Sequence, residues 1–232
     1  MAEPNPKELV DLGVKSNKAK NFTQAKKYFE KSCELNYAKG CFGLGILYTN
    51  KDFGEKNYKK ALALLTKGCE LNYALGCGFL GNLYINNGPM VKKDLRKATQ
   101  YYSKACGLNL GIGCSLLGTL YQNGNGVKKD LRKAFALYAK ACGLKEGDGC
   151  LRLGEIQRSG EGVVKNRKQA MKKFEKACKL GKQEACEMVT YKGLCELGHK
   201  EACEIFSLEV LCESSDQKAC DMSYDKKKAL GF

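Results

Sequence analysis

The sequence predicts an all-α fold, a solenoid of helix–turn–helix units in which most units are stapled by a disulfide across a tight turn. Three observations carry this expectation. Fourteen cysteines fall into seven Cys-x7-Cys pairs. A ladder of alanine, a large side chain and cysteine at i, i+4 and i+8 recurs every 36 or 37 residues. After the second cysteine of a pair, Leu-Gly and then Tyr return at fixed offsets. A period of 20–50 residues is the signature of stacked repeats, each burying its apolar face on the next.

The ladder comes first in each unit. It reads Ala25-Phe29-Cys33, Ala61-Leu65-Cys69, Ala98-Tyr102-Cys106, Ala134-Tyr138-Cys142 and Ala170-Phe174-Cys178. That spacing puts all three side chains on one helical face. Four residues before each alanine stands Asn21, Asn57, Asp94, Asp130 or Asn166, residue types that cap helix N-termini by accepting a free backbone N–H. This helix is called B.

The second helix, A, follows each pair. Cys41-x2-Leu44-Gly45-x2-Tyr48, Cys77-x2-Leu80-Gly81-x2-Tyr84 and Cys114-x2-Leu117-Gly118-x2-Tyr121 repeat the pattern, and Cys150-x2-Leu153-Gly154 carries Gln157 in place of Tyr. Leu9-x2-Leu12-Gly13 fits a first helix A without a cysteine. A glycine inside a helix costs about 1 kcal/mol against alanine. Its return at one core-facing offset predicts a close approach of two helices there. The Gly124-Asn-Gly126 and Gly160-Glu-Gly162 turns read as helix stops, because a phosphate cradle needs the rest of its glycine fingerprint and a preceding strand.

The cysteines stand at Cys33 and Cys41, Cys69 and Cys77, Cys106 and Cys114, Cys142 and Cys150, Cys178 and Cys186, Cys195 and Cys203, Cys212 and Cys220. Sequence alone does not fix connectivity. The sevenfold recurrence makes bonding within each pair the simplest choice. Residues eight apart in one helix are about 12 Å apart along the axis, beyond the roughly 7 Å limit for bridged Cα atoms. Bonded pairs therefore require a turn between them, and the breakers Asn36, Gly40, Asn72, Gly76, Gly107, Gly111, Gly113, Gly143, Gly147 and Gly149 lie there. Structural zinc is the rival use of cysteine. It favours closer cysteine pairs with histidine, and this chain has no Cys-x2-Cys and one histidine, His199. No metal or other cofactor is expected.

Such a framework belongs in an oxidising compartment, so a secreted or periplasmic location is expected. The start, Met1-Ala2-Glu3-Pro4, has no signal-peptide core. No apolar run approaches a membrane span. The formal net charge of +15 permits attraction to anionic surfaces. The lysines recur on polar helix faces, though, and no basic–aromatic stripe for base stacking is present, so no specific nucleic-acid partner is expected. The chain is expected to be a monomer.

From Cys178 the period shortens to 17 residues: Cys178-Lys-Leu180-Gly181 through Ala185-Cys186 is echoed by Cys195-Glu-Leu197-Gly198 through Ala202-Cys203, and more loosely before Ala219-Cys220. Here A and B are expected to merge into single short helices, each stapled to the next. The expected divisions are a repeat solenoid over 1–186, a cap over 187–223 and a flexible basic tail over 224–232.

One unit, Leu117-Gly118-x2-Tyr121, Gly124-Asn-Gly126-Val127-Lys-Lys-Asp130-Leu-Arg-Lys133-Ala134-x3-Tyr138-x-Lys140-Ala141-Cys142, resembles the Sel1-like repeat, a relative of the tetratricopeptide repeat. With a cysteine pair in each unit, the chain resembles the secreted Helicobacter cysteine-rich proteins over residues 7 to about 190. The resemblance implies a right-handed superhelix with a concave face, a bridge in each unit, recognition by the host, and penicillin binding with slow β-lactamase activity.

The residues themselves offer little catalysis. Serine β-lactamases combine Ser-x-x-Lys with Ser-Asp-Asn and Lys-Thr-Gly. The last two are missing, and Ser-x-x-Lys occurs only as Ser215-Lys218 and Ser223-Lys226, in the short-period tail. Catalytic residues are left unassigned, and β-lactams enter as possible ligands through the resemblance alone. Recognition has the better footing. Offsets 5 and 9 after the second cysteine face away from the core and supply Asn82, Asn86, Thr119, Asn123, Glu155 and Ser159. Their amides and hydroxyls could bond the backbone of a peptide, a cell-wall fragment or a host protein.

Overall fold

A computed structural model describes residues 4–54, 57–196, 198–213 and 216–229. Every regular element among them, apart from the single 3-10 turn Lys51–Phe53, is an α-helix. The helices are α1 (Pro6–Lys18), α2 (Phe22–Glu34), α3 (Ala38–Leu47), α4 (Tyr58–Glu70), α5 (Ala74–Ile85), α6 (Leu95–Gly107), α7 (Gly111–Asn123), α8 (Leu131–Gly143), α9 (Gly147–Ser159), α10 (Arg167–Lys179), α11 (Gln183–Met188), α12 (Tyr191–Glu196), α13 (Lys200–Glu213) and α14 (Gln217–Ala229). Two compact units divide inside α8, the first ending at Leu137 and the second beginning at Tyr138. In each, consecutive helices pack as antiparallel-type α/α pairs of a repeat solenoid, α3 on α4 and α5 on α6 in the first, α9 on α10 in the second.

The five B helices start where their caps stand. Asn21, Asn57, Asp94, Asp130 and Asn166 accept the backbone N–H of Gln24, Lys60, Lys97, Lys133 and Gln169 at 2.9–3.2 Å. Each such cap contributes about 1 kcal/mol. Their own backbones are fixed as well, since the N–H groups of Asn57, Asp94, Asp130 and Asn166 donate to the carbonyls of Tyr48, Tyr84, Tyr121 and Gln157. On three of these four tyrosine-type positions the lysine before the ladder alanine lies over the ring: Lys60 over Tyr48, Lys97 over Tyr84 and Lys133 over Tyr121, at 4.3–5.2 Å. The fourth unit has glutamine at both places, Gln157 and Gln169.

The helices A that follow a bridged turn have no side-chain cap: Tyr37, Tyr73, Leu110, Glu146 and Lys182 precede them without such a bond. The turn positions them instead. In all seven turns the residue entering the next helix donates its N–H five residues back, from Tyr37 to Ser32, Tyr73 to Gly68, Leu110 to Ala105, Glu146 to Ala141, Lys182 to Ala177, His199 to Leu194 and Asp216 to Leu211. This is the Schellman closure, which needs one left-handed residue. Asn36, Asn72, Asn109 and Lys145 take that conformation, with φ of 55–64°. Gly181 and Gly198 take it in the next two turns. All seven cysteine pairs are bridged across these turns, with Cα atoms 4.3–4.7 Å apart.

The breakers expected from sequence need correcting in part. Gly107 and Gly143 are the last residues of α6 and α8, and the reversal falls two residues later at Asn109 and Lys145. Gly40, Gly113 and Gly149 lie in the first turn of a helix A. A Cβ on any of them would stand 2.4–2.8 Å from Ser32, Ala105 or Ala141, so they permit close approach at the bridge rather than break the chain.

The helix A glycines are the seats for the large B residues. A Cβ on Gly13 would lie 2.6 Å from the Phe29 ring, on Gly45 2.8 Å from Leu65, on Gly81 2.5 Å from Tyr102 and on Gly154 2.6 Å from Phe174. The ladder alanines Ala25, Ala61, Ala98, Ala134 and Ala170 are wholly buried beside them.

The short-period segment differs from expectation. Between Cys186 and Cys195 the chain forms two six-residue helices, α11 and α12, not one. Only α13, with Cys203 near its start and Cys212 near its end, is a single doubly stapled helix, and at 14 residues it is not short. The segment expected to be loose from Tyr224 continues α14 as far as Ala229, with Lys226 paired to Glu204 and Lys227 to Glu209. Leu197 and residues 230–232 lie outside the described residues.

Candidate functional site

Two cavities open over the same face of helix A, one in each unit. In the first unit, α5 presents Phe79, Asn82, Leu83 and Asn86, which stand two, five, six and nine residues after Cys77. Tyr58 of α4, Thr49 and the loop 88–91 complete a cavity of about 340 Å³. Its walls are mostly apolar, and Asn82 and Asn86 are exposed at it.

The two asparagines are oriented. The Tyr102 hydroxyl donates to Asn82 Oδ1 at 2.7 Å. Asn86 Nδ2 donates to the Asn82 carbonyl at 3.2 Å. Burial of the Tyr102 ring pushes its phenol up to about 12, so it remains a neutral donor at ordinary pH. With these bonds made, the Asn82 amide N–H groups and the Asn86 side-chain oxygen are left to a ligand. One donor and one acceptor together match a peptide group.

The apolar wall was not foreseen from sequence, but a signal for it exists. As far as Cys178 the spacing between first cysteines is 36 residues except from Cys69 to Cys106, where it is 37. The extra residue lies in the loop after α5, which reads Asn87-Gly88-Pro89-Met90-Val91 where the next unit has Gly124-Asn125-Gly126-Val127. Lys93 N–H donating to Asn87 Oδ1 and Gly88 N–H donating to the Val91 carbonyl fold this loop back. Met90 then packs against the core clusters around Leu44 and around Leu80.

Thr119 and Asn123 line neither cavity. Thr119 is half-buried and donates to the Ser115 carbonyl at 3.2 Å, and Asn123 is exposed at the end of α7. Glu155 belongs to the second cavity, in the second unit, and Ser159 donates back to the Ile156 carbonyl. That cavity, of about 660 Å³, lies between α9 and the broken α11–α12 element. Arg152 and Glu155 form an ion pair in it at 2.9 Å. Burial disfavours the Arg152 cation, but the Glu155 carboxylate and, farther off, Glu184 outweigh it and hold its pKa above the ordinary value.

Of the two candidate nucleophiles, Ser223 alone lies among the described residues, and it is not assembled with Lys226. Ser215 lies outside the described residues. Ser223 is buried with no hydrogen-bond partner for its hydroxyl. The Lys226 ammonium pairs instead with Glu204, and that hydrogen bond holds the Glu204 carboxyl below its ordinary value. Among the described residues no group of three or more His, Cys, Asp or Glu could hold a metal, and no helix is long and apolar enough to cross a membrane.

The Sel1 repeat pattern matches residues 12–37, 38–73, 74–110, 112–145 and 147–182. The chain belongs to the Sel1 repeat family. Each matched unit is an A helix (only its second half in the first unit), its turn and the following B helix, so the first four bridges join successive Sel1 repeats. The chain is 52 % identical to Helicobacter pylori cysteine-rich protein B over 58 % of this chain and 96 % of that one, with a TM-score of 0.47. A Sel1 repeat protein from Oxalobacter formigenes superposes with a TM-score of 0.71 at 27 % identity, over 84 % of this chain and 80 % of that one. HcpC of Helicobacter pylori, provisionally named a beta-lactamase, is 62 % identical over 56 residues, 24 % of this chain and 19 % of its own. The match thus spans about a fifth of that relative's length.

Proposed function

We propose that this Sel1 repeat protein recognises an extended peptide segment of a partner, seating one apolar ligand side chain in the cavity between α5 and the 88–91 loop. Asn82 Nδ2 and Asn86 Oδ1 bond the ligand backbone beside it. The observation that carries the reading is the Tyr102–Asn82 hydrogen bond, which fixes a carboxamide at the mouth of an apolar cavity. Such a mouth suits any partner that presents a peptide strand: a free peptide, the stem peptide of a cell-wall fragment or a host protein loop. Seven bridged cysteine pairs support work in the periplasm or outside the cell, where disulfides persist. The beta-lactamase in HcpC's name finds no assembled serine–lysine pair among the described residues, so β-lactams are ligands to be tested rather than the proposed substrate.

The test selects peptides from a random library on the oxidised chain and measures a selected peptide by calorimetry against Asn82→Ala with Asn86→Ala. Two lost hydrogen bonds of about 0.5–1.5 kcal/mol each predict a five- to 150-fold weaker Kd. Unchanged affinity would place the peptide elsewhere. Nitrocefin turnover measured on the same preparation, and lost in Ser223→Ala, would replace recognition by hydrolysis.

A further inference from the structure

The Gly124-Asn125-Gly126 turn, a helix stop by sequence, carries a covalent chemistry of its own, independent of the peptide site. The chain holds three Asn-Gly bonds: Asn87-Gly88, Asn123-Gly124 and Asn125-Gly126. In such a pair the backbone nitrogen of glycine, which no Cβ shields, can add to the side-chain carboxamide of the asparagine before it. Two conditions govern the reaction. The glycine N–H must be free to give up its proton, and the carboxamide must be free to swing over the main chain.

The fold withholds these conditions from two of the three bonds. Asn87 Oδ1 accepts the Lys93 N–H at 2.8 Å, and the Gly88 N–H donates to the Val91 carbonyl at 3.2 Å. Asn123 is the last residue of α7, and the Gly124 N–H donates back to the Leu120 carbonyl. Asn125 differs on both counts. It is exposed, and neither its carboxamide nor the Gly126 N–H has a hydrogen-bond partner among the described residues. Its own N–H donates to the Leu120 carbonyl at 2.9 Å, which anchors the main chain and leaves the side chain loose.

We infer that Asn125 is a site of spontaneous deamidation in the folded protein, while the fold protects Asn87 and Asn123. The Gly126 nitrogen loses its proton to hydroxide and bonds to Asn125 Cγ. The carboxamide C–N bond breaks, ammonia leaves, and a succinimide ring closes. Water then opens the ring at one carbonyl to give aspartate, or at the other to give isoaspartate, whose main chain runs through the former side chain. Water is the one co-reactant consumed.

The two products fit the turn differently. In the next turn of this kind Glu161 holds the place of Asn125, and Gly160 and Gly162 keep φ of 78° and 74° against 73° at both Gly124 and Gly126. A turn of this shape thus accepts a carboxylate. Isoaspartate instead adds a carbon to the main chain next to Gly126, where space is lacking: a Cβ on Gly126 would stand 2.4 Å from the Leu95 carbonyl oxygen. The isoaspartyl turn must therefore lift away from the start of α6.

The test ages the full oxidised chain at mildly alkaline pH and follows each asparagine by tandem mass spectrometry of its peptides, with an isoaspartate-specific methyltransferase to count that product. Asn125 should convert at least tenfold faster than Asn87 or Asn123, and faster as pH rises. In the reduced, denatured chain all three should convert at comparable rates, because the protection belongs to the fold. Asn125→Gln, whose longer side chain closes the ring slowly, should remove the fast phase. Asn125→Asp should keep the denaturation midpoint of the fresh chain, and the isoaspartate-bearing fraction should fall below it. Comparable rates at the three sites in the folded chain, or an Asn125 that stays intact while the denatured chain converts, overturns the proposal.

Discussion

The 36-residue repeats and the 17-residue tail share one element and differ in nearly everything else. Both keep the bridged turn, with the same six-residue hydrogen-bonded closure from Tyr37 to Asp216. Only the repeats keep the seat in which a helix A glycine receives a B-helix ring or leucine. The turn is a local structure, set by one left-handed residue and one disulfide, so it survives when the chain between turns is shortened. The seat is non-local and needs two helices of about thirteen residues. Among the largest fully buried side chains, Tyr102, Tyr138, Phe174, Leu9, Leu65, Leu80 and Ile156 come before Cys178, and the tail supplies Ile205. A segment with so thin a core depends on its bridges for order, as small disulfide-rich domains do.

The largest expected effect breaks the repeat side of this comparison. Tyr102→Ala removes a ring that fills the Gly81 seat and should cost about 3–5 kcal/mol, read as a lower denaturation midpoint of the first unit. Ile205→Ala, the matching truncation in the tail, should leave that midpoint in place. It should appear as faster amide exchange confined to α13 and α14. A global loss from Ile205→Ala would show that the tail is part of the core rather than an attachment to it.

Bridge removal sharpens the contrast from the other direction. Closing a ring this short restrains the unfolded chain by about 2–3 kcal/mol. Cys69→Ala with Cys77→Ala should therefore lower the stability of the first unit by that amount and leave it folded, because Leu65, Leu80 and Ala105 still pack around the site. Cys212→Ala with Cys220→Ala has the same entropic effect on a helix pair with little else to hold it. There α14 should detach, with loss of protection over 217–229 in hydrogen exchange. Equal, small effects at both bridges would remove the argument that the tail lives on its staples.

How much of this was legible follows the same local and non-local division. The caps at Asn21, Asn57, Asp94, Asp130 and Asn166 were readable because capping depends on residues three apart. The glycine seats were readable because they recur. The reversal at Lys145 was not, since lysine carries no turn signal and Gly143 beside it does. Nor was the break between α11 and α12, which rests on Gly193 packing against two carbonyls of the preceding helix. Asn82 and Asn86 were singled out by their offset from Cys77, whereas the cavity they border depends on a one-residue insertion at Pro89-Met90. Glu155 was singled out by the same offset and pairs with Arg152 on its own helix, but the cavity it borders depends on a helix break that no offset predicts.

Lys145 gives the smallest and most specific prediction. Its φ of 62° lies in the left-handed region, where an L side chain with a Cβ costs roughly 1–2 kcal/mol and asparagine or glycine pays less. The three preceding turns use Asn36, Asn72 and Asn109 at this place, and the two following use Gly181 and Gly198. Lys145→Gly should therefore stabilise the second unit, by up to about 1 kcal/mol once the greater freedom of glycine in the unfolded chain is subtracted. Lys145→Asn should give part of that gain. The converse change, Asn72→Lys, should cost the first unit a similar amount, since its φ of 64° is nearly the same. Thermal denaturation of the oxidised variants reads all three. If Lys145→Gly gives no gain while Asn72→Lys is costly, the fourth turn is held by its side chain and not by its bridge, and the turns are not interchangeable parts.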